Sequence, residues 1–121
     1  EAIQIARVLL GISKSKAWSH HPAVLMWKGY ERYLVDVYLL AMIKEWGARG
    51  FRNDKCLLHF EELSAMVRSK SLDMPPWIGD GKFHSSHRSA LLRKLPSHYG
   101  KFGWGDDPQN EYVWPVKLNN P

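Results

Sequence analysis

The chain of 121 residues holds a single cysteine, Cys56. One thiol excludes an internal disulfide and a zinc site built on paired cysteines, and it fits a reducing compartment. Cys56 itself reads as a small buried apolar residue at the start of a helix. Long hydrophobic runs are missing as well. The most apolar stretch, Tyr33 to Ile43, is interrupted by Asp36 and flanked by Glu31, Arg32, Lys44 and Glu45, short of the roughly 18 apolar residues a membrane span needs. No succession of basic, apolar and small residues marks a signal peptide, so a soluble, cytoplasmic protein is expected. Acidic residues are the scarcer charge, 12 against 17 Lys plus Arg. The resulting +5 and pI near 9.4 favour a polyanionic partner without specifying one. HExxH, GxSxG, Walker and dinucleotide-binding motifs are all absent, which leaves metalloprotease, serine-hydrolase and nucleotide-hydrolase chemistry without a sequence basis. Hairpin signals, internal repeats and low-complexity tracts are lacking too. The expected class is all-α, a compact single domain spanning residues 1–121.

What is present is organised around Pro22 to Gly50. Apolar residues recur at Leu25/Met26, Tyr30, Tyr33/Leu34, Val37/Tyr38, Ala41/Met42 and Trp46, the three- and four-residue steps of one helical face. The spacing predicts a long central helix with this stripe packed. Pro22 suits its first turn after Ser19-His20-His21, with Ser19 or a histidine near the cap, and Gly47 to Gly50 end it. Gly29 marks a break or a close helix contact, because glycine in a helix interior costs about 1 kcal/mol relative to Ala.

About four helices are expected in all. Ile3, Ala6, Leu10 and Ile5, Val8, Leu9 give the N-terminal helix a broad apolar side. That helix lacks an initiating Met and a capping residue, so a native segment upstream of Glu1 is expected. Ser13 to Lys16 read as a polar loop, and Trp18 as a ring folded onto the core. Phe51 to Lys55 read as a turn, and Leu57, Leu58, Phe60, Leu63, Met66 and Val67 as one face of a third helix. Met74-Pro75-Pro76-Trp77 with Gly79 and Gly81 cannot be regular helix. A fourth helix runs from Asp80 or Lys82 to Leu95, stopped by Pro96, with Phe83, His87, Ala90/Leu91 and Leu95 as its packing face. An aromatic and glycine-rich tail follows.

Five cations, Lys82, Arg88, Arg93, Lys94 and Lys101, fall in that helix and the loop after it, interleaved with His84, His87, His98, Tyr99 and Trp104. Cations can track a phosphate backbone and flat rings can stack on unpaired bases. A solvated helix face whose rings serve the core is the competing reading. His84 and His87 lie one turn apart, yet no ligand spacing for zinc accompanies them. Asp36 is either paired with a cation or carries a raised pKa, pairing being the better account.

Several pieces together, in this order and spacing, resemble the bacterial and phage pyrimidine-dimer DNA glycosylase family. They are His20-His21-Pro22-Ala23-Val24, Met26-Trp27-Lys28-Gly29-Tyr30, Glu45-Trp46, Arg49-Gly50-Phe51-Arg52-Asn53, Pro75 to Asp80, Ser86 to Lys94, Pro96, His98-Tyr99 and Tyr112-Val113-Trp114-Pro115. The resemblance implies a repair enzyme that flips a base from damaged duplex DNA. It cleaves the glycosidic bond through a Schiff base to the N-terminal amine and then acts as an abasic-site lyase. No metal, organic cofactor or membrane is implied, and a monomer is expected. By the same resemblance Glu1 falls at the catalytic glutamate, Arg88 with Arg93 or Lys94 in the phosphate-contacting helix, and His98-Tyr99-Gly100-Lys101 in the aromatic, basic C-terminal motif. A non-catalytic DNA-binding module using the same basic helix is the alternative.

Overall fold

The structure, a computed structural model, describes residues 1–13 and 19–115. Among these residues every regular element is a helix, and no helix is long and apolar enough to cross a membrane. The chain divides into two compact units, Glu1–Pro75 and Pro76–Pro121, the division falling within the proline pair. The basic loop Lys14 to Lys16, Trp18, and the end of the tail from Val116 lie outside the described residues.

In the first unit α1 (Ala2–Leu9) starts at Glu1, whose carbonyl accepts the Ile5 N–H at 2.9 Å. Helix α2 (Pro22–Trp27) has Pro22 in its first turn and is capped by a histidine: His21 Nδ1 accepts the Ala23 N–H at 3.0 Å. The expected single helix from Pro22 to Gly50 is two. At Lys28 the backbone turns extended, and Gly29 takes φ +89°, a left-handed conformation that side chains with a Cβ disfavour. Helix restarts as α3 (Glu31–Tyr33), widens into a π-helical stretch (Leu34–Leu39) and continues as α4 (Leu40–Ala48). The three form one rod of 18 residues.

The π stretch overturns the expected packing stripe. A continuous α-helix would bury Val37/Tyr38, Ala41/Met42 and Trp46 after Leu34. Instead the buried residues are Leu34, Val35, Leu39 and Ile43, while Val37, Tyr38, Ala41, Met42 and Trp46 are exposed. The step from Leu34 to Leu39 is five residues, the i→i+5 repeat of a π turn, and from Leu39 to Ile43 the ordinary four. One wide turn therefore rotates the rest of the rod and turns the predicted stripe outward. Asp36 sits in this turn and is paired. Its carboxylate accepts from Arg32 Nε at 3.3 Å and from Ser64 Oγ at 2.7 Å, tying the rod to α5 (Asp54–Val67).

Helix α5 begins at Asp54, earlier than the expected turn allowed. Asn53 stands at its cap position and reaches back with Nδ2 to the Ile43 carbonyl at 3.4 Å. A Cβ on Gly47 would meet that Nδ2 at 2.6 Å, so glycine there permits the close approach. Leu63 and Val67 bury the inner face of α5, which packs against the rod and α1. Cys56, expected to be buried, is half-exposed.

The second unit is a helix laced by its own tail. Asp80 caps α6 (Gly81–Lys94) by accepting the Lys82 N–H at 3.0 Å and the Phe83 N–H at 3.5 Å. Pro96 opens the short α7 (Pro96–Tyr99), and a 3-10 turn, Gly100–Phe102, follows. The buried residues of α6 are Phe83, Ser86 and Ser89, whereas His87 and Leu95 of the expected packing face are exposed. The tail accounts for the rotation, since small serines admit its backbone. Ser86 Oγ accepts the Val113 N–H at 3.0 Å, and Tyr112 packs edge-on to Phe83.

The π register has a direct test. Leu39→Ala, at 4% exposure, is expected to cost about 2–5 kcal/mol of stability. Met42→Ala, at 51% exposure, should stay within about 0.5 kcal/mol. Urea denaturation of both variants checks this, and the reverse ranking would restore the continuous α-helical stripe.

Candidate functional site

A cavity of about 910 Å³ opens beside the start of the first unit. Helix α1 supplies one wall, because Glu1, Gln4, Ile5 and Val8 recur at the spacing of a single face. His21, Ala23 and Val24, at the start of α2, supply another, with Ile12 and Arg7 also at its boundary. The walls are mainly apolar, and the polar side chains are few: a carboxylate, a carboxamide, a guanidinium, an imidazole and the Ser13 hydroxyl. Apolar walls with a few convergent polar groups are the usual make-up of a ligand pocket.

Glu1 is exposed and lies within electrostatic reach of the rod. Partial burial, with the Glu1 negative charge beside it, holds the Tyr38 phenol above its ordinary value. The Tyr38 ring leans on the buried Trp27 at 5.2 Å. His21 Nδ1 accepts a backbone N–H, so the neutral ring carries its proton on Nε2. Arg7 Nη2 donates to His59 Nδ1 at 2.9 Å, joining α1 to α5.

The residues expected to meet DNA lie in the second unit. Lys82 and Lys94 are exposed at opposite ends of α6, separated by a helical rise of about 18 Å. Lys94 is near in sequence to α7 and the 3-10 turn, which carry His98, Tyr99 and the exposed Lys101. There the rings of His98, Tyr99, Phe102 and Trp104 cluster, Phe102 and Trp104 stacking at 5.3 Å.

Two of the expected DNA contacts have partners within the unit. Arg88 binds Asp106 through two bonds, Nε to Oδ2 at 2.6 Å and Nη2 to Oδ1 at 3.2 Å, and Ser85 Oγ adds a third at 2.6 Å. Bonds from Arg88 and Ser85 hold the Asp106 carboxyl below the usual carboxylate range, and the Asp106 bond raises Arg88 further. Arg93 Nη1 donates to the carbonyls of Pro108, at 2.7 Å, and Asn110. His84 Nε2 accepts the Gly79 N–H at 2.9 Å, while His87 Nδ1 meets the Tyr112 hydroxyl at 3.1 Å. Partial burial and then the charge of His84 lower His87. Among the described residues no group of three His, Cys, Asp or Glu could hold a metal ion.

Sequence reasoning singled out Glu1 but not Gln4, Arg7, His59 or Tyr38. The recurrence of 1, 4, 5 and 8 was available as a signal for Gln4. Periodicity makes Tyr38 a packing residue because it carries no sign of the π turn, and His59 is remote from Arg7 in sequence. Asp106 was read only as part of a turn.

Two titrations follow from this geometry. Glu1→Gln removes a negative charge beside Tyr38, so the Tyr38 phenol should titrate at lower pH than in wild type, read by tyrosine ring NMR. An unchanged midpoint would separate the two residues. Asp106 has a depressed folded-state pKa, so its contribution is present above the unfolded value of about 3.9 and is lost as pH falls below it. The Arg88 Nε–H should be protected from exchange at neutral pH, and should lose protection on acidification and in Asp106→Asn.

Comparison with known proteins places one finding beside this geometry. The family model described as pyrimidine dimer DNA glycosylase matches residues 1–58. No curated protein and no solved structure matches the chain. The matched residues include Glu1, α1 and every residue of the cavity wall. The chain resembles the pyrimidine dimer DNA glycosylases, a DNA-repair family, and the match lies in the segment that builds the cavity.

Proposed function

We propose that the protein is a DNA-repair glycosylase with associated abasic-site lyase activity, acting on pyrimidine dimers in duplex DNA. The family match over residues 1–58 carries this reading, and the cavity beside Glu1 supports it. An N-terminal α-amine titrates near 8, so about a tenth of it is unprotonated at pH 7, and that fraction is a usable nucleophile. It attacks the sugar C1′ and the base departs with the electrons of the glycosidic bond; the C1′–O4′ bond then opens, O4′ taking a proton as the nitrogen loses one, to give the Schiff base, and loss of a C2′ proton expels the 3′ phosphate in β-elimination. In this scheme Glu1 stabilises the cationic sugar and moves protons during elimination. Flipping a base costs a few kcal/mol and least at a lesion, so damage itself contributes selectivity. Lys82, Lys94, His98, Tyr99 and Lys101 are the proposed contacts to the DNA backbone and unstacked bases. Arg88 and Arg93 act there through the tail that they hold in place.

The test is borohydride trapping, using the natural protein with its own processed N-terminus on ultraviolet-irradiated and abasic duplexes. A covalent adduct mapping to the N-terminal amine is expected. Glu1→Gln should keep DNA affinity while slowing cleavage about 10²- to 10⁴-fold, the usual weight of a general acid–base group. A cleavage rate equal to wild type would remove Glu1 from the site. Absence of an adduct, with affinity that still falls steeply with salt, would make the protein a DNA-binding module without this chemistry.

A further inference from the structure

We propose that Arg7 anchors a DNA phosphate beside the cavity, and that His59 positions its guanidinium for this. The inference rests on the glycosylase reading. It starts from an asymmetry among the arginines. Arg32, Arg49, Arg52 and Arg88 each lie within 4.0 Å of a carboxylate; among the described residues Arg7, Arg68 and Arg93 do not, and of these three Arg68 and Arg93 are exposed. Arg7 is half-buried, borders the cavity and has no carboxylate partner among the described residues. Its hydrogen bond goes to His59 Nδ1 at 2.9 Å. Arginine has five donors and no acceptor, so that ring nitrogen must accept and is unprotonated. A neutral acceptor orients the guanidinium without neutralising it.

Partly burying a charge without an opposite charge is costly, and an anionic ligand offsets the cost. A phosphate is the anion that suits the planar fork, because two parallel N–H···O bonds match its oxygens. The position is also suitable. Arg7 lies six residues after Glu1 on the same helix, a rise of about 9 Å. It stands at the flank of the face formed by Glu1, Gln4, Ile5 and Val8, turned toward α5. With about 3.4 Å of duplex axis per nucleotide on one strand, that separation reaches two or three nucleotides from a sugar at Glu1. Arg7 is thus a positioning residue: it sets where the strand lies relative to the carboxylate.

The experiment measures affinity for duplexes carrying a stable abasic-site analogue. A single neutral methylphosphonate replaces, in turn, each of the three phosphates on either side of the site. At one position the replacement should weaken wild-type binding about tenfold, the weight of a charge-assisted hydrogen bond. In Arg7→Gln the same replacement should cost less than about twofold. His59→Ala should reduce the wild-type sensitivity at that position and leave the others unchanged. If Arg7→Gln weakens binding to every duplex by one common factor and keeps the methylphosphonate sensitivity, Arg7 only ties α1 to α5 and the proposal fails. It fails equally if no position costs wild type more than about twofold. Should Arg7→Gln not fold by circular dichroism, Arg7→Met, which keeps the apolar stem, takes its place in the same scan. Borohydride trapping run in parallel decides the glycosylase reading separately, because the scan reads binding alone.

Discussion

The first unit depends on a carboxylate held in a widened turn of its longest helix. Asp36 interrupts an apolar run, and a lone charge there would be expensive. Arg32 from the preceding turn and Ser64 from α5 satisfy it. An i,i+4 helical ion pair contributes only about 0.3–0.5 kcal/mol, so this half-buried pair matters less for its energy than for where it fixes the turn. The five-residue step from Leu34 to Leu39 then selects which side chains enter the core. A shift of one residue exchanges Leu39 and Ile43 for Tyr38 and Met42. Tyr38, kept out of the core, is left on the side from which the Glu1 charge perturbs it.

In the second unit charge does a different kind of work. α6 is polar enough that apolar burial alone would hold its tail weakly: Phe83 is its one buried large apolar residue. Arg88 and Arg93 compensate by binding Asp106 and the carbonyls of Pro108 and Asn110. A guanidinium engaged in this way has fewer donors left for phosphate. Among the described residues the exposed lysines at the ends of α6 and in the 3-10 turn form no ion pair. Basic residues in one helix thus separate into those that shape the surface and those that present charge from it.

Local chemistry was legible in the sequence where a single residue decides the outcome. Pro22 and the histidine cap before it, the break at Gly29, the stop at Pro96 and the irregular Pro75-Pro76 segment each depend on neighbours within a few positions. The helical class followed from periodicity. The burial pattern was not legible in two helices, because in each case a distant or non-periodic feature overrode the count. A π turn has no spacing signal of its own in a run as apolar as Leu34 to Leu40. Ser86 becomes a packing residue only when the tail lies over it and the Val113 N–H bonds its hydroxyl. For the site, Glu1 came from resemblance and its cavity from the fold. Arg7 paired with His59 required a contact across 52 positions.

A carboxylate at a DNA site works against affinity, since it faces a polyanion. The chemistry proposed here needs it nonetheless, because positive charge develops on the sugar as the base departs, and a fixed negative group is worth most where water is excluded. Glu1 is exposed in the chain alone, and DNA seated against the apolar walls of Ile5, Val8 and Val24 would exclude water around it. The same low-polarity setting strengthens the repulsion between Glu1 and any nearby phosphate. A cation must then stand close enough to hold the backbone, but far enough from Glu1 not to quench it by forming a salt bridge. Arg7 has no ion pair with Glu1 among the described residues, and its neutral histidine partner draws it toward α5. The arrangement keeps both charges unneutralised at one cavity, so that each remains available to a substrate carrying a phosphate and a developing cation a few ångströms apart.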